Sequence, residues 1–239
     1  MIICVTIRSG KATGGYMLYN TVLFDLDGTL FDTAPDIYEA CNHTLELYGY
    51  SRVSNDLLSG GISYGMRAML RLGLPPRDHL KAERGTPMYK EFDGYYTKNC
   101  HTLTKPFEGI PMLIIALSEH GVATGVVTNK YMHMVKPLFA QFDFTRRFKT
   151  VIAGDSAPNA KPDPEPLFME MRKCGALTGD TLYVGDTRSD ALTARNAKVA
   201  FCAVKWGYEV PPSNDADGSG AYYTAERPDD ILKIVMGSL

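Results

Sequence analysis

The sequence predicts an α/β protein whose core is a doubly wound parallel sheet, with an all-helical domain inserted after the first strand. Short apolar runs of strand length recur along the chain, and helical patterns lie between them. Residues 34–105 interrupt this rhythm, because they show helical pattern without a convincing strand. Strands that alternate with helices are typical of parallel sheets, since each crossover helix carries the chain back to the start of the next strand.

The predicted strands are the apolar runs at residues 21–26, 123–128, 151–153, 181–184 and 200–204. Helices between them have clear ends. Residues 111–120 stop at Gly121 and residues 166–174 stop at Gly175, and glycine directly after the last periodic residue is a helix stop signal. In sheets of this kind, ligands bind beyond the carboxyl ends of the strands.

The inserted segment begins with a predicted helix. Thr33 and Asp36 are spaced for a capping box, and apolar residues then recur at helical spacing up to Gly49. Further helical pattern lies within residues 66–72 and 87–97. The segment therefore reads as helical throughout.

The chain is expected to divide into a core of residues 17–33 and 106–239, a helical cap of residues 34–105, and a leader of residues 1–16. We expect the cap to lie over the mouth of the sheet, because it follows directly on the first strand. The leader lacks the basic start and long apolar centre of a secretory signal, and its role is unknown. A start of translation at Met17 is the alternative.

Composition excludes several classes of function. Of the 239 residues, 45% are hydrophobic and 22% are charged, which predicts a soluble globular protein. A formal net charge of −2 offers no basic field, so we expect no nucleic-acid partner. No apolar run approaches the ~20 residues of a membrane span, so no membrane partner is expected. The five cysteines are scattered singly, which predicts a reducing, cytoplasmic location. Monomer and homodimer are both open.

Two carboxylates follow the first predicted strand directly. Asp25 and Asp27 stand at its carboxyl end, and Gly28 and Thr29 then turn the chain. Two carboxylates ~4 Å apart repel by roughly 4 kcal/mol at an effective dielectric constant of ~20. A positive group must offset this repulsion.

Polar residues also follow the other predicted strands, and the fold would gather them into one cleft. They are Thr128 and Asn129, Lys161, and Asp186 with Asp190. Each alone is typical of a turn, a helix cap or a solvated charge. Together with the first pair they give four carboxylates and one ammonium, a cluster that requires a hard cation. Carboxylate ligands without histidine or cysteine indicate Mg²⁺, which commonly shares its coordination sphere with a phosphate.

Four motifs, "DLDGTLFDTAP", "VVTNK", "AKPDPEPL" and "YVGDTRSD", occur in this order. With them the chain resembles the haloacid dehalogenase-like phosphohydrolases, in particular the phosphoglycolate-phosphatase-like branch with a small helical cap. The resemblance runs from about Leu18 to about Leu232. It implies a Rossmann-like core, Mg²⁺ as cofactor and an aspartyl-phosphate intermediate.

The resemblance also assigns roles residue by residue. Asp25 would attack phosphorus, Asp27 would protonate the leaving oxygen and later activate water, and Lys161 would neutralise charge. Asp190 would assist either the metal or Lys161. The metal site would comprise Asp25, Asp27, Asp186 and Asp190. The phosphoryl group and substrate would contact Thr128, Gly28, Thr29 and Asn129.

Substrate choice is expected to come from the cap. The glycine-rich turn "SGGISYGMR" offers Ser63, Tyr64 and Arg67 as contacts, Arg67 because a small anionic substrate favours a bidentate cation. The alternative for Arg67 is a solvated helix position.

The leading hypothesis is a Mg²⁺-dependent phosphatase of small phosphorylated metabolites, with 2-phosphoglycolate as the first compound to test. A sugar-phosphate phosphatase, a sugar phosphomutase and a non-catalytic phosphate-binding protein are the alternatives, in that order.

Overall fold

A computed structural model of the chain describes residues 17–212 and 222–238. Within them, six strands form one parallel sheet in the order β5-β4-β1-β6-β7-β8. The strands are β1 Thr21–Phe24, β2 Phe31–Asp32, β3 Lys105–Pro106, β4 Ala123–Val127, β5 Val151–Ile152, β6 Thr181–Gly185, β7 Ala200–Val204 and β8 Tyr222–Ala225. The strand order reverses between β1 and β6, which is where ligands bind in doubly wound sheets. The predicted fold class is confirmed.

The α-helices of the described residues are α1 Ala34–Leu47, α2 Asn55–Ser59, α3 Met66–Gly73, α4 Pro87–Asn99, α5 Ile110–Glu119, α6 Met132–Phe139, α7 Glu165–Cys174, α8 Arg188–Ala197 and α9 Pro228–Val235. None of them is long and apolar enough to cross a membrane. The predicted leader, residues 1–16, lies outside the described residues.

The central strand β1 is covered on both faces. Val22, Leu23 and Phe24 have no exposed surface. Val22 and Phe24 belong to the apolar cluster that includes α5 and α9, and Leu23 belongs to a second cluster with α7 and α8. Parallel strands buried on both faces are apolar throughout, which explains why the sequence shows a continuous run here.

The helices α1 to α4 form the cap. Apolar side chains of α1 and α4 pack together, among them Leu45, Phe92 and Tyr96. The helix α4 begins at Pro87 because the hydroxyl of Thr86 accepts a hydrogen bond from the backbone N–H of Tyr89 at 3.2 Å. The same apolar cluster continues from the cap into one face of the core.

The chain passes from the core to the cap at β2 and returns at β3, and these two strands pair with each other in antiparallel orientation. Phe31 pairs with Pro106, and Asp32 pairs with Lys105. The expectation that residues 34–105 contain no strand is wrong at Lys105. Strands of two residues carry no alternation pattern, so the sequence gives no sign of them.

The predicted capping box at Thr33 and Asp36 is wrong. Thr33 makes no side-chain cap, and its hydroxyl instead lies 3.1 Å from the hydroxyl of Tyr208. The buried carboxylate of Asp36 accepts hydrogen bonds from the N–H groups of Leu103 and Thr104 at 2.9 and 2.8 Å. Tertiary partners therefore replace the local ones, and they tie both ends of the cap together.

A buried carboxyl, Glu170 on α7, packs against the backbone of β4. A Cβ at Gly125 would lie 2.1 Å from Oε1 of Glu170, so the carboxyl group occupies the space beside this glycine. Oε2 of Glu170 is buried without a hydrogen-bond partner. Burial raises the pKa of Glu170 to about 7.

Candidate active site

Polar side chains gather beyond the carboxyl ends of β1, β4 and β6. Asp25 follows β1, Thr128 follows β4 and Asp186 follows β6. A cavity of about 530 Å³ lies between this edge of the sheet and the cap. Residues of both parts line it, so the cleft is shared between core and cap.

Lys161 is the cation at the centre of the group. Its side chain is 4% exposed, and Nζ lies 2.6 Å from Oδ1 of Asp25 and 2.7 Å from Oδ1 of Asp190. Burial opposes a charge here, but the two carboxylates raise the pKa of Lys161 above its usual value. Asn129 fixes the backbone of Lys161, because its amide oxygen accepts from the lysine N–H at 3.0 Å and its amide nitrogen donates to the lysine carbonyl at 3.2 Å. The ammonium is thus held in place and ionised.

Asp190 is fully buried and uses both carboxylate oxygens within the protein. Oδ1 accepts from Lys161 and, at 2.7 Å, from the hydroxyl of Tyr183. Oδ2 accepts from the N–H and the hydroxyl of Thr187 at 3.0 and 2.5 Å, which completes a capping box at the start of α8. Burial opposes ionisation, yet Lys161 and these donors lower the pKa of Asp190. A Cβ at Gly185 would lie 2.6 Å from Asp190, so the glycine of "YVGD" makes room for it.

Asp186 is held by two donors from different segments. The hydroxyl of Thr29 donates to Oδ1 at 3.0 Å, and the N–H of Tyr208 donates to Oδ2 at 2.8 Å. Gly28 has a φ of +82°, and a Cβ there would lie 2.2 Å from Oδ2. Only glycine therefore fits this turn. Thr29 was predicted to contact substrate, but it is buried against Asp186 and does not line the cavity.

The carboxylates fit a hard divalent cation. Asp25, Asp186 and Asp190 are buried, and each offers an oxygen within 4.8 Å of the others. Burial and the charge of Asp190 raise the pKa of Asp25 to about 7, and burial and the charge of Asp25 raise the pKa of Asp186 well above its usual range. Among the ion pairs of the described residues, Lys161 is the one cation paired with any of these three carboxylates, which leaves the cluster negatively charged. The donor set consists of oxygen atoms only, which suits Mg²⁺. Asp27 was also predicted as a ligand, but its side chain is not one of this group.

Asp27 lines the cavity and contacts a lysine that the sequence analysis did not single out. Nζ of Lys130 lies 2.6 Å from Oδ1 of Asp27 and 2.5 Å from the hydroxyl of Tyr96 on α4. The lysine side chain is 3% exposed, whereas that of Asp27 is 25% exposed. Lys130 is the last residue of the motif "VVTNK", and this position is the feature of the sequence that could have marked it as a site residue.

The cap supplies some of the predicted contacts and not others. Ser63 and Tyr64 line the cavity, as do Thr128 and Asn129 from the core. Arg67 does not line this cavity, and its guanidinium lies 3.4 Å from Glu83 with 58% of the side chain exposed. The charged residue that lines the cavity from the cap is Arg84, which lies in a turn before α4 with no motif to mark it.

Comparison with known proteins gives consistent matches. A sequence model of the haloacid dehalogenase-like hydrolases matches residues 22–204. The chain is 33% identical over 226 residues to the N-acetylmuramic acid 6-phosphate phosphatase of Pseudomonas putida, with 93% of this chain and 99% of the relative covered. It is 34% identical over 191 residues to the phosphoglycolate phosphatase of Agrobacterium fabrum, with 80% and 82% covered. The crystal structure of a "predicted phosphoglycolate phosphatase" from Haemophilus somnus matches with a TM-score of 0.77 at 26% identity, with 92% and 99% covered.

The matched range contains the carboxylates and the lysine described above. The family model spans well over half of the chain, and the first two relatives are similar along most of their own lengths. The resemblance that the motifs indicated is therefore confirmed: the chain belongs to the haloacid dehalogenase-like hydrolase family.

Proposed function

We propose that the protein is a Mg²⁺-dependent phosphatase that hydrolyses a small phosphomonoester through an aspartyl phosphate on Asp25. The observation that carries this proposal is the buried Lys161, which bridges Asp25 and Asp190 beside the third carboxylate of Asp186. Phosphoryl transfer depends on positioning and charge neutralisation, and this arrangement offers both. The named activities of the two curated relatives support the same reaction class.

In the first step, Asp25 acts as the nucleophile. Its Oδ1 accepts the hydrogen bond from Lys161, which leaves Oδ2 to attack phosphorus. The new bond joins Oδ2 to phosphorus, and the bond from phosphorus to the ester oxygen breaks. Asp27 gives its proton to the departing oxygen, which leaves as an alcohol.

In the second step, water attacks the phosphorus of the aspartyl phosphate. Asp27 accepts a proton from that water, the bond between phosphorus and Asp25 breaks, and inorganic phosphate leaves. The two displacements replace one difficult hydrolysis. The protein thereby returns to its starting state.

Neutralisation of charge comes from several sources. The ammonium of Lys161 faces the site, and the hydroxyl of Thr128 accepts from the N–H of Lys130 at 3.1 Å, so its own hydrogen is available to a phosphoryl oxygen. A bound Mg²⁺ would be held by Asp25 and Asp186, and it would supply the positive charge that screens the nucleophile from the anionic ester. Proton transfer stays with Asp27, which Lys130 holds at the cavity wall.

The substrate is a small phosphorylated metabolite. The two curated relatives are named for phosphoglycolate and for N-acetylmuramic acid 6-phosphate, and both compounds are phosphate esters that also carry a carboxylate. A cavity of about 530 Å³ has room for the larger of the two, because ligand pockets commonly span ~300–1,000 Å³. We therefore place a phosphorylated sugar acid beside 2-phosphoglycolate as a first substrate to test.

The test is release of inorganic phosphate from a panel of phosphorylated metabolites, with and without Mg²⁺. Asp25→Asn, which cannot form the acyl phosphate, serves as the matched control. Mg²⁺-dependent release by the wild type alone is the expected result. A sugar phosphomutase would return the phosphoryl group to its product, so free phosphate would stay low while substrate disappeared. A non-catalytic binding protein would leave every ester intact.

A further inference from the structure

Arg84 reaches from the cap across the cavity to the core. It lies in the turn before α4, and it lines both the main cavity and an adjoining one of about 320 Å³. Its guanidinium carbon lies 5.2 Å from the ring centre of Tyr131, which belongs to the core between β4 and α6. Tyr89 on α4 lines both cavities together with Arg84. The ring of Tyr131 thus packs against the guanidinium at the cavity wall.

Arg84 differs from the other two cations at this wall. Lys161 is paired with Asp25 and Asp190, and Lys130 is paired with Asp27. Among the ion pairs of the described residues, Arg84 has no carboxylate partner. The adjacent Glu83 does not provide one, because its carboxylate is paired with Arg67 and Arg71.

Arg84 is exposed, its guanidinium packs against the ring of Tyr131, and no carboxylate of the described residues pairs with it, so it can receive an anion. Arginine presents a planar fork of donors that matches a carboxylate in bidentate geometry. Lys161 and Thr128 already serve the phosphate that reacts. Arg84 adds one further cation, because the neighbouring Arg67 is already paired with Glu83. A single guanidinium suits a monoanionic carboxylate better than a second, dianionic phosphate.

We propose that Arg84 binds a carboxylate of the substrate and so selects phosphomonoesters of carboxylic acids. The proposal rests on the proposed phosphatase function, and it assigns to Arg84 the role that the sequence analysis gave to Arg67. Arg84 takes no part in bond breaking. It positions the ester by its far end, while Asp25 faces phosphorus at the other end of the cavity.

The experiment compares phosphoesters that differ only in the carboxylate. The pairs are 2-phosphoglycolate with 2-phosphoglycolamide, and 6-phosphogluconate with glucitol 6-phosphate. In each pair the first compound is the acid, and the second, which lacks the carboxylate but keeps the phosphate, is called its neutral partner. We define the selectivity ratio as kcat/KM for the acid divided by kcat/KM for its neutral partner. Wild type, Arg84→Gln, Arg84→Lys and the matched control Arg67→Gln are measured side by side.

We expect the selectivity ratio of at least one pair to fall by about 10- to 100-fold in Arg84→Gln, the size of a lost charge-assisted hydrogen-bond pair. Arg84→Lys should recover part of the ratio, because the charge returns without the fork. Arg67→Gln should keep the wild-type ratio. An unchanged ratio in Arg84→Gln for both pairs, or the loss appearing in Arg67→Gln instead, would overturn the proposal.

Binding separates this proposal from the proposed function. Dissociation constants of the same compounds, measured by calorimetry in Asp25→Asn and in Asp25→Asn with Arg84→Gln, require no turnover. Weaker binding of the acids alone in the double variant supports the role of Arg84, even if the wild type releases no phosphate. Equal binding of acids and neutral partners in both variants rejects the role of Arg84, and the assay with the substrate panel then decides the phosphatase activity independently.

Discussion

Replacement of Asp190 by asparagine separates the two roles that the sequence left open for this residue. Both oxygens of the Asp190 carboxylate accept hydrogen bonds within the protein, from Lys161 and Tyr183 on one side and from Thr187 on the other. These contacts favour a role at Lys161 over direct coordination of the metal. Asp186 is the matched comparison, because it has no ammonium within ion-pair distance among the described residues and belongs to the same carboxylate cluster.

The size of the effect follows from what asparagine removes. The side chain keeps its volume, but it loses the negative charge that holds the ammonium of Lys161. The amide N–H₂ of asparagine also faces groups that donated hydrogen bonds to the carboxylate. A hydrogen bond to a charged group contributes about 1.5–3 kcal/mol, which corresponds to about 10- to 150-fold in rate if it acts in the transition state. Disruption of a buried ion pair also lowers the free energy of unfolding by about 3–5 kcal/mol.

The assay is phosphate release from p-nitrophenyl phosphate across a range of Mg²⁺ concentrations, with thermal unfolding as a check on folding. We expect Asp190→Asn to lower kcat at saturating Mg²⁺ by about 10- to 150-fold. Asp186→Asn should instead raise the half-saturating Mg²⁺ concentration. We expect this increase to be at least about 10-fold larger than the increase caused by Asp190→Asn. Equal shifts in Mg²⁺ dependence, with kcat of Asp190→Asn restored at saturation, would refute the argument and make Asp190 a ligand.

Three further outcomes are expected. Asp27→Asn should slow phosphorylation by metabolite esters far more than by p-nitrophenyl phosphate, because a nitrophenolate leaves without a proton; equal slowing in rapid-quench measurements would remove Asp27 from acid catalysis. EDTA should stop turnover, and Mg²⁺ but not Ca²⁺ should restore it, because Ca²⁺ prefers a larger and more flexible shell; full activity in EDTA would contradict the metal site. Glu170 has a pKa raised from 4.5 to about 7 by burial, so the folded form binds its proton more tightly than the unfolded form does. The stability it contributes is complete below pH 4.5 and is lost as the pH rises to 7, by about 3 kcal/mol. Urea unfolding should show this loss in the wild type and not in Glu170→Gln.

The sequence predicted the parts of the site that depend on strand ends. Asp25 and Asp186 each follow a buried apolar run, and parallel strands bring such positions to one edge, so their proximity follows from the fold class alone. Lys161 follows no long strand, and its place became predictable only through the motif that contains it. The structure then brings its ammonium within 2.6 Å of Asp25.

Features that depend on tertiary partners were not predictable. Thr33 and Asp36 have the spacing of a capping box, but their partners come from distant parts of the chain: Tyr208 for Thr33 and the backbone of residues 103–104 for Asp36. Arg67 and Arg84 are both arginines near glycines in the cap, and the sequence offers no way to tell which one Glu83 engages. In the structure Arg67 pairs with Glu83 and lines the smaller, adjoining cavity but not the main one, whereas Arg84 lines both.

The most direct test of the account is to trap the phosphoenzyme. Asp27→Asn should form an aspartyl phosphate from p-nitrophenyl phosphate in the presence of Mg²⁺ but hydrolyse it slowly, because the group that activates water is missing. Acid quenching followed by peptide mass spectrometry should then locate the phosphoryl group on Asp25, and Asp25→Asn should carry none. A phosphoryl group on another residue, or turnover in Asp25→Asn at the wild-type rate, would contradict the account.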